Sequence, residues 1–264
     1  MESAFPMYAA GAPAHQALWQ FVAQQLLDQG FGSIPLTLAQ PADLLAHWQQ
    51  PGLLLSQTCG YPLTHALAGR VQLVGAFRYQ APGCEGIHYR SMLVCRTADA
   101  ALPLDAFRGR AVAFNSADSQ SGYNSLRALV APWAVEGAFF GQALQTGAHR
   151  ASLEAVRSGA ADIAAIDCVS LALLQRENRQ ALEGLRICGY TALSPGLPLI
   201  TSLQTAPALL SALQSTLRAA MEVDSLADAR AALCIAGFET VKLAAYDAIL
   251  AMEQAAFRQG YYRL

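Results

Sequence analysis

Short apolar runs alternate with longer segments of helical periodicity along most of the chain, and this alternation constrains the fold more than any other feature. The run Leu53-Leu54-Leu55 is too short for a core helix and is typical of a buried strand. Residues 14–29 place Leu18, Val22 and Leu26 along one helical face, and Gly30 follows as a C-terminal cap. Strands that alternate with helices indicate an α/β fold with a parallel sheet.

The same pattern predicts where the elements begin and end. Predicted strands cover 3–9, 34–39, 53–57, 71–77, 88–96, 111–114, 161–166, 185–191 and 198–201. Predicted helices cover 14–29, 42–48, 150–159, 205–219, 225–234 and 239–257, with two more starting near 121 and 169. The cycle restarts after residue 96 and returns near 186. One large doubly wound sheet would fit, but we favour two lobes linked by strands near 90–96 and 186–192. Lobe 1 then takes 1–92 and 190–264, including the C-terminal helices, and lobe 2 takes 93–189.

Composition limits the classes of function. Of 264 residues, 54% are hydrophobic and 14% charged, which favours a large core over disorder. The formal net charge of −2 gives no basic face for nucleic acid or an anionic membrane, so local donors would have to attract any anion. We expect no transmembrane helix, since no run of about 18 apolar residues occurs. The N-terminus lacks the pattern of a signal peptide, which suggests the cytoplasm or a leader already removed.

Cysteine and histidine spacing gives no sign of a metal site or a cofactor. The six cysteines form no CxxC pair, and no two histidines have i,i+4 spacing. Several cysteines lie in apolar runs, so buried thiols are expected more than disulfides, which points weakly to a reducing compartment. The motifs GxSxG, GxGxxG, GxxxxGK[ST] and HExxH do not occur.

The segment with most chemical content follows the predicted strand 111–114. Small polar residues lead through Ser119, Ser121 and Gly122 into a predicted helix. The first turn of a helix presents unpaired N–H groups and the positive end of the helix dipole, so it binds anions. The two serines would add hydroxyl donors. The alternative is that serine only caps the helix.

Two further residues are candidates. His149 starts the predicted helix 150–159, where it can donate to an anion, or it is a capping or surface histidine. Asp167 follows a buried strand, where α/β folds place groups that contact ligands, or it caps the next helix. A catalytic triad of Ser121, His149 and Asp167 is conceivable, but the loop context favours hydrogen-bond donors over a nucleophile.

These segments resemble a known family. The loop 119–123, then Gly147-Ala148-His149 and the run 152–167, are similar to phosphonate/phosphate-type substrate-binding proteins of ABC transporters. The resemblance implies a two-lobed, type 2 periplasmic-binding-protein-like α/β fold with hinge strands and a central ligand cleft. It also implies periplasmic location, a small anionic ligand and an ABC permease as partner, without enzymatic activity, cofactor, nucleic acid or membrane insertion.

The resemblance also assigns roles by position. Ser119, Gln120 and Ser121 would hold the oxyanion with the helix amides, although glutamine interrupts the family's usual hydroxyl pair. His149 would donate to the oxyanion, and Asp167 would contact another part of the ligand or orient the site. Tyr8 and the loop Cys59-Gly60-Tyr61 match the contact regions of the first lobe.

We therefore expect a protein that captures a phosphonate- or phosphate-like ligand by hinge closure between two lobes, for uptake or sensing. One alternative is an enzyme of cofactor-precursor metabolism on the same fold, with His149 or Asp167 as general acid or base. The other is a sensing module whose pocket has lost tight binding.

Overall fold

A computed structural model describes residues 1–264, apart from the side chain of residue 9. In chain order the strands are β1 (Glu2–Ala4), β2 (Leu53–Gln57), β3 (Val71–Tyr79), β4 (His88–Tyr89), β5 (Ser91–Arg96), β6 (Ala111–Phe114), β7 (Gln142–Gln145), β8 (Ile163–Asp167), β9 (Leu185–Tyr190), β10 (Ser194–Pro195), β11 (Pro198–Ser202) and β12 (Ile235–Glu239). The helices are α1 (Ala12–Asp28), α2 (Leu44–Gln49), α3 (Gly60–Thr64), α4 (Ser125–Val130), α5 (His149–Ser158), α6 (Cys168–Glu177), α7 (Pro207–Ala220), α8 (Ala227–Ala232) and α9 (Asp247–Arg258). Among the described residues, no helix has the length and hydropathy needed to cross a bilayer.

The chain divides into two compact units. Unit 1 contains Met1–Gln80, Glu85–Ile87 and Gly196–Ala245. Its sheet has the order β1-β2-β11-β3-β12, in which only β1 and β2 pair in parallel. Helices α1 and α7 pack on each other, and buried Leu18, Trp19 and Leu26 of α1 form part of the core of this unit.

Unit 2 contains Ala81–Cys84, His88–Pro195 and Tyr246–Leu264. Its main sheet has the order β7-β6-β8-β5-β9. The strands β6, β7 and β8 run parallel, and β5 lies antiparallel to β8 and β9. Parallel β6 and β8 therefore end at the same edge of the sheet, where the loops after both strands lie.

The expected lobe boundaries differ from this division at the C-terminus. Helix α9 was expected in lobe 1, yet Tyr246–Leu264 belongs to unit 2. Arg127, whose side chain is 4% exposed, bonds Glu253 of α9 at 3.0 Å and the carbonyl of Tyr262 at 2.9 Å. Ala256 and Tyr261 are buried in the core of this unit. The strands near 90–96 and 186–192, expected as links between lobes, both lie inside the unit 2 sheet as β5 and β9.

Several local predictions were also wrong. Residues 34–39 form no strand: Pro35 has no N–H for a ladder, and its carbonyl accepts a bond from Trp19 Nε1. The predicted strand 88–96 is interrupted at Arg90, and strands β7 and β12 were missed. Both main sheets are mixed, whereas the alternation predicted a parallel sheet.

Candidate functional site

The candidate site of unit 2 begins where β6 ends. After a short loop, the backbone forms a π-helical turn over Gln120–Asn124 that continues directly into α4. Ser119 is the N-cap, and its Oγ accepts a hydrogen bond from the Gly122 N–H at 3.0 Å. The wide turn is closed by the Asn124 N–H, which donates to the Ser119 carbonyl at 2.9 Å. The first N–H groups of such a segment lack intrahelical acceptors.

Two serines and a histidine form a continuous polar chain at this helix start. Ser119 Oγ lies 3.3 Å from Ser121 Oγ, which lies 3.0 Å from His149 Nε2. His149 is the first residue of α5, so it reaches the serines from a second helix N-terminus. The Ser121 carbonyl accepts bonds from the hydroxyls of Ser91 at 2.9 Å and Ser125 at 2.7 Å. Sequence reasoning named the three residues of the chain but missed Ser91 and Ser125, which fix the backbone beneath them.

The imidazole of His149 is neutral at pH 7. Burial lowers its pKa to about 4, because a charged ring would lose hydration. Part of the residue reaches the surface, but its Nδ1 is buried and has no hydrogen-bond partner within the described residues. The polar chain thus offers hydroxyl and imidazole groups without a formal charge.

The same geometry argues against the Ser121–His149–Asp167 triad. In a triad the aspartate bonds the second ring nitrogen of histidine, and here that nitrogen is Nδ1, which has no such partner. A histidine whose pKa is about 4 is also a weak general base at neutral pH.

Gln120 and Asp167 have structural partners. Gln120 Nε2 donates to Ser194 Oγ at 2.9 Å, and Gln120 Oε1 accepts from Asn124 Nδ2 at 2.8 Å, so its amide is occupied within the protein. Asp167 is 3% exposed and caps α6, with its Oδ1 accepting from the Ser170 N–H at 2.7 Å. For Asp167 the geometry fits the capping alternative; its contact with a ligand stays a prediction.

Gly122 lies close against the side chain of Asn115, so a larger residue here would force that side chain to move. A Cβ built on Gly122 would lie 2.0 Å from Oδ1 of Asn115, the residue that follows β6. Asn115 Oδ1 is buried against Gly122 and has no hydrogen-bond partner among the described residues. The sequence marks Gly122 as part of the polar segment before the helix, but it gives no sign of the close approach to Asn115.

The four predicted residues of unit 1 lie around the ends of β1 and β2. Tyr8 is buried and packs edge-on against Tyr79, with ring centres 5.3 Å apart. Tyr79 Oη accepts a bond at 2.9 Å from Gln57, the last residue of β2. Cys59 is the N-cap position of α3, which Gly60 begins. The ring of Tyr61 stacks on His65 at 3.9 Å.

The family model described as "ABC transporter, phosphonate, periplasmic substrate-binding protein" matches residues 53–246. No protein with curated annotation matches the sequence significantly.

Three solved structures are similar to this fold. A binding protein component of an ABC phosphonate transporter from Pseudomonas aeruginosa is 15% identical, with a TM-score of 0.76 over 98% of this chain and 87% of that one. PhnD1 from Prochlorococcus marinus, in complex with methylphosphonate, is 14% identical, with a TM-score of 0.73 over 96% and 97%. XAC2383 from Xanthomonas citri, bound to ATP, is 14% identical, with a TM-score of 0.72 over 98% and 97%. The predicted type 2 periplasmic-binding-protein fold is confirmed by these neighbours.

Proposed function

The chain belongs to the family of periplasmic phosphonate substrate-binding proteins of ABC transporters, and we propose that it binds the oxyanion of a phosphonate-like ligand at the start of the segment 120–130 in unit 2. The family is one of binding proteins for transport and not of enzymes, so the expected class of function is confirmed. The ligand, the residues that hold it and the motion that accompanies binding are parts of the proposal.

One observation carries the proposal: the Ser119–Ser121–His149 chain lies at a helix start that offers N–H donors of its own. The spacings of 3.3 and 3.0 Å between these groups support the proposal, because two hydroxyls and one imidazole so close together could bond a single tetrahedral group. A phosphonate has three terminal oxygens that accept such bonds. Binding would replace the hydrogen bonds among Ser119, Ser121 and His149 by bonds to the ligand, so these side chains would keep about as many hydrogen bonds as before.

Because the formal net charge is −2, the overall charge of the protein would not attract an anion, and local neutral donors would have to bind it. The ligand's charge would be balanced by the helix dipole and by oriented donors, since the His149 ring is neutral at pH 7. Among the described residues, no group of three or more His, Cys, Asp or Glu side chains could hold a metal ion that would bridge to the anion.

Tyr8, Cys59, Gly60 and Tyr61 of unit 1 would contact the rest of the ligand, and binding would draw the two lobes together. The protein would act in the periplasm, the location of its family. An ABC permease would be the partner that receives the ligand.

Thermal unfolding with a panel of ligands tests the ligand class. Methylphosphonate, the ligand bound in the Prochlorococcus structure, is compared with phosphate, sulfate and acetate at equal ionic strength. At about 100 times the dissociation constant, a true ligand raises the Tm by roughly 5–10 °C. A phosphonate-specific shift supports the proposal. Equal shifts for all anions, or none for any, would contradict it.

A further inference from the structure

Two cysteines of unit 2 bring their sulfurs into contact although 84 and 168 are distant in sequence. Cys84 Sγ lies 3.5 Å from Cys168 Sγ. Cys84 ends the piece 81–84, a turn closed by the Cys84 N–H, which donates to the Ala81 carbonyl at 3.0 Å. Cys168 is the first residue of α6, directly after Asp167.

The packing of the turn explains the contact. Gly83 has a φ of +99°, and a Cβ built there would lie 3.1 Å from the Cβ of Cys168 and 2.9 Å from Met92 Cε. The absence of a side chain at residue 83 therefore lets the turn lie directly on the start of α6. The sulfurs would have to approach by only about 1.5 Å to reach the covalent S–S distance of roughly 2.05 Å.

We infer that Cys84 and Cys168 form a redox-active thiol pair that closes to a disulfide under oxidising conditions. The bacterial periplasm, where this family acts, is such an environment. The bridge would tie the piece 81–84 to the helix that Asp167 caps. It would stabilise unit 2 mainly by lowering the conformational entropy of the unfolded chain.

The two thiols differ in a way that sets the order of reaction. The hydrogen bond from the Cys168 thiol lowers the pKa of Cys84, whereas the same contact and burial raise the pKa of Cys168. Cys84 is also half-buried, while Cys168 is 1% exposed. Cys84 is therefore the thiol that a small disulfide reaches first, as a thiolate.

With oxidised glutathione as the oxidant, the step balances as two thiol–disulfide exchanges. The Cys84 thiolate attacks one glutathione sulfur, and the other glutathione leaves as a thiolate. Cys168 then loses its proton and attacks Cys84 Sγ, which releases the second glutathione. The protein loses two electrons and two protons, and the glutathione disulfide becomes two thiols.

The test counts thiols in the folded, full-length chain. The protein is incubated with oxidised glutathione, quenched with acid, unfolded and alkylated, and then analysed by mass spectrometry and by peptide mapping without reduction. We expect the alkylated thiols to fall from six to four, with residues 84 and 168 in one cross-linked peptide pair. The control Cys234→Ser should fall from five to three. Six remaining thiols in the folded protein, or a bridge that maps elsewhere, would overturn the inference.

Single variants test the order of attack. Cys168→Ser should keep a glutathione adduct on Cys84, because the resolving thiol is missing. Cys84→Ser should gain no adduct on residue 168. If the adduct forms on Cys168 instead, or if the wild type keeps an unresolved adduct on Cys84, the pair does not act as inferred. Circular dichroism of each variant establishes that the fold is retained.

Discussion

Replacing Glu253 by glutamine should destabilise unit 2 far more than the same change at an exposed ion pair. Arg127 and Glu253 are 4% and 13% exposed, and they bond at 3.0 Å. The guanidinium also bonds Asn124 Oδ1 at 2.8 Å and lies 4.9 Å from the centre of the Phe257 ring. In the variant these contacts remain, but the buried positive charge loses its counter-charge. We expect a loss of about 2–3 kcal/mol in the free energy of unfolding.

The matched control is Glu154→Gln. Glu154 pairs with Arg157 on the surface of α5 and is 63% exposed, so its loss should cost at most about 0.5 kcal/mol. Equilibrium urea unfolding followed by circular dichroism measures both values. If Glu253→Gln costs no more than Glu154→Gln, then the pair does not anchor α9, and the assignment of the C-terminal helix to unit 2 loses its energetic basis.

Three further predictions concern the loop, acid stability and ligand-induced motion. Gly122→Ala should lower the Tm, at a cost of about 1–3 kcal/mol, because its Cβ would meet Asn115 Oδ1, and a second change, Asn115→Ala, should restore most of the loss. Burial lowers the pKa of His15 to about 4, so the unfolded chain binds a proton below pH 6.5 that the folded chain does not. The free energy of unfolding should therefore fall as the pH drops from 6.5 to 4, by about 3 kcal/mol from His15 alone. Urea titrations across that range should show a smaller fall for His15→Phe than for the wild type. Small-angle X-ray scattering should give a smaller radius of gyration with methylphosphonate than without it, and an unchanged radius would refute closure.

Local patterns predicted the parts of the fold that local forces decide. The continuous apolar runs at β2 and β6 and the helical face of α1 depend on burial and periodicity alone, and each lies where it was predicted to within a few residues. The strand β12 was missed because it depends on antiparallel pairing with β3, whose residues lie far away in sequence. The membership of α9 in unit 2 likewise depends on the contact between Arg127 and Glu253, which are far apart in sequence and which helical periodicity does not reveal.

In the candidate site too, local sequence predicted some residues, whereas contacts between distant residues could not be predicted. Ser119 and Ser121 were predicted because small polar residues lead into a helix, and His149 because it starts the next helix; their contact with a ligand stays a prediction. The occupation of the Gln120 amide by Ser194 and Asn124 could not be predicted, since neither partner is marked by spacing. The proximity of Cys84 and Cys168 was not predicted for the same reason. Six cysteines without a spacing motif gave only an expectation of buried thiols.

Isothermal titration of three proteins with methylphosphonate tests the proposed site most directly: the wild type, Ser121→Ala and the control Ser116→Ala. Ser116 lies in the same loop, but its hydroxyl bonds Asp118 outside the polar chain. Ser121→Ala should bind methylphosphonate roughly 10- to 100-fold more weakly than the wild type, because it loses one hydrogen bond to a charged ligand. Ser116→Ala should bind as the wild type does. Equal affinities for all three proteins would contradict an oxyanion site built on Ser119, Ser121 and His149.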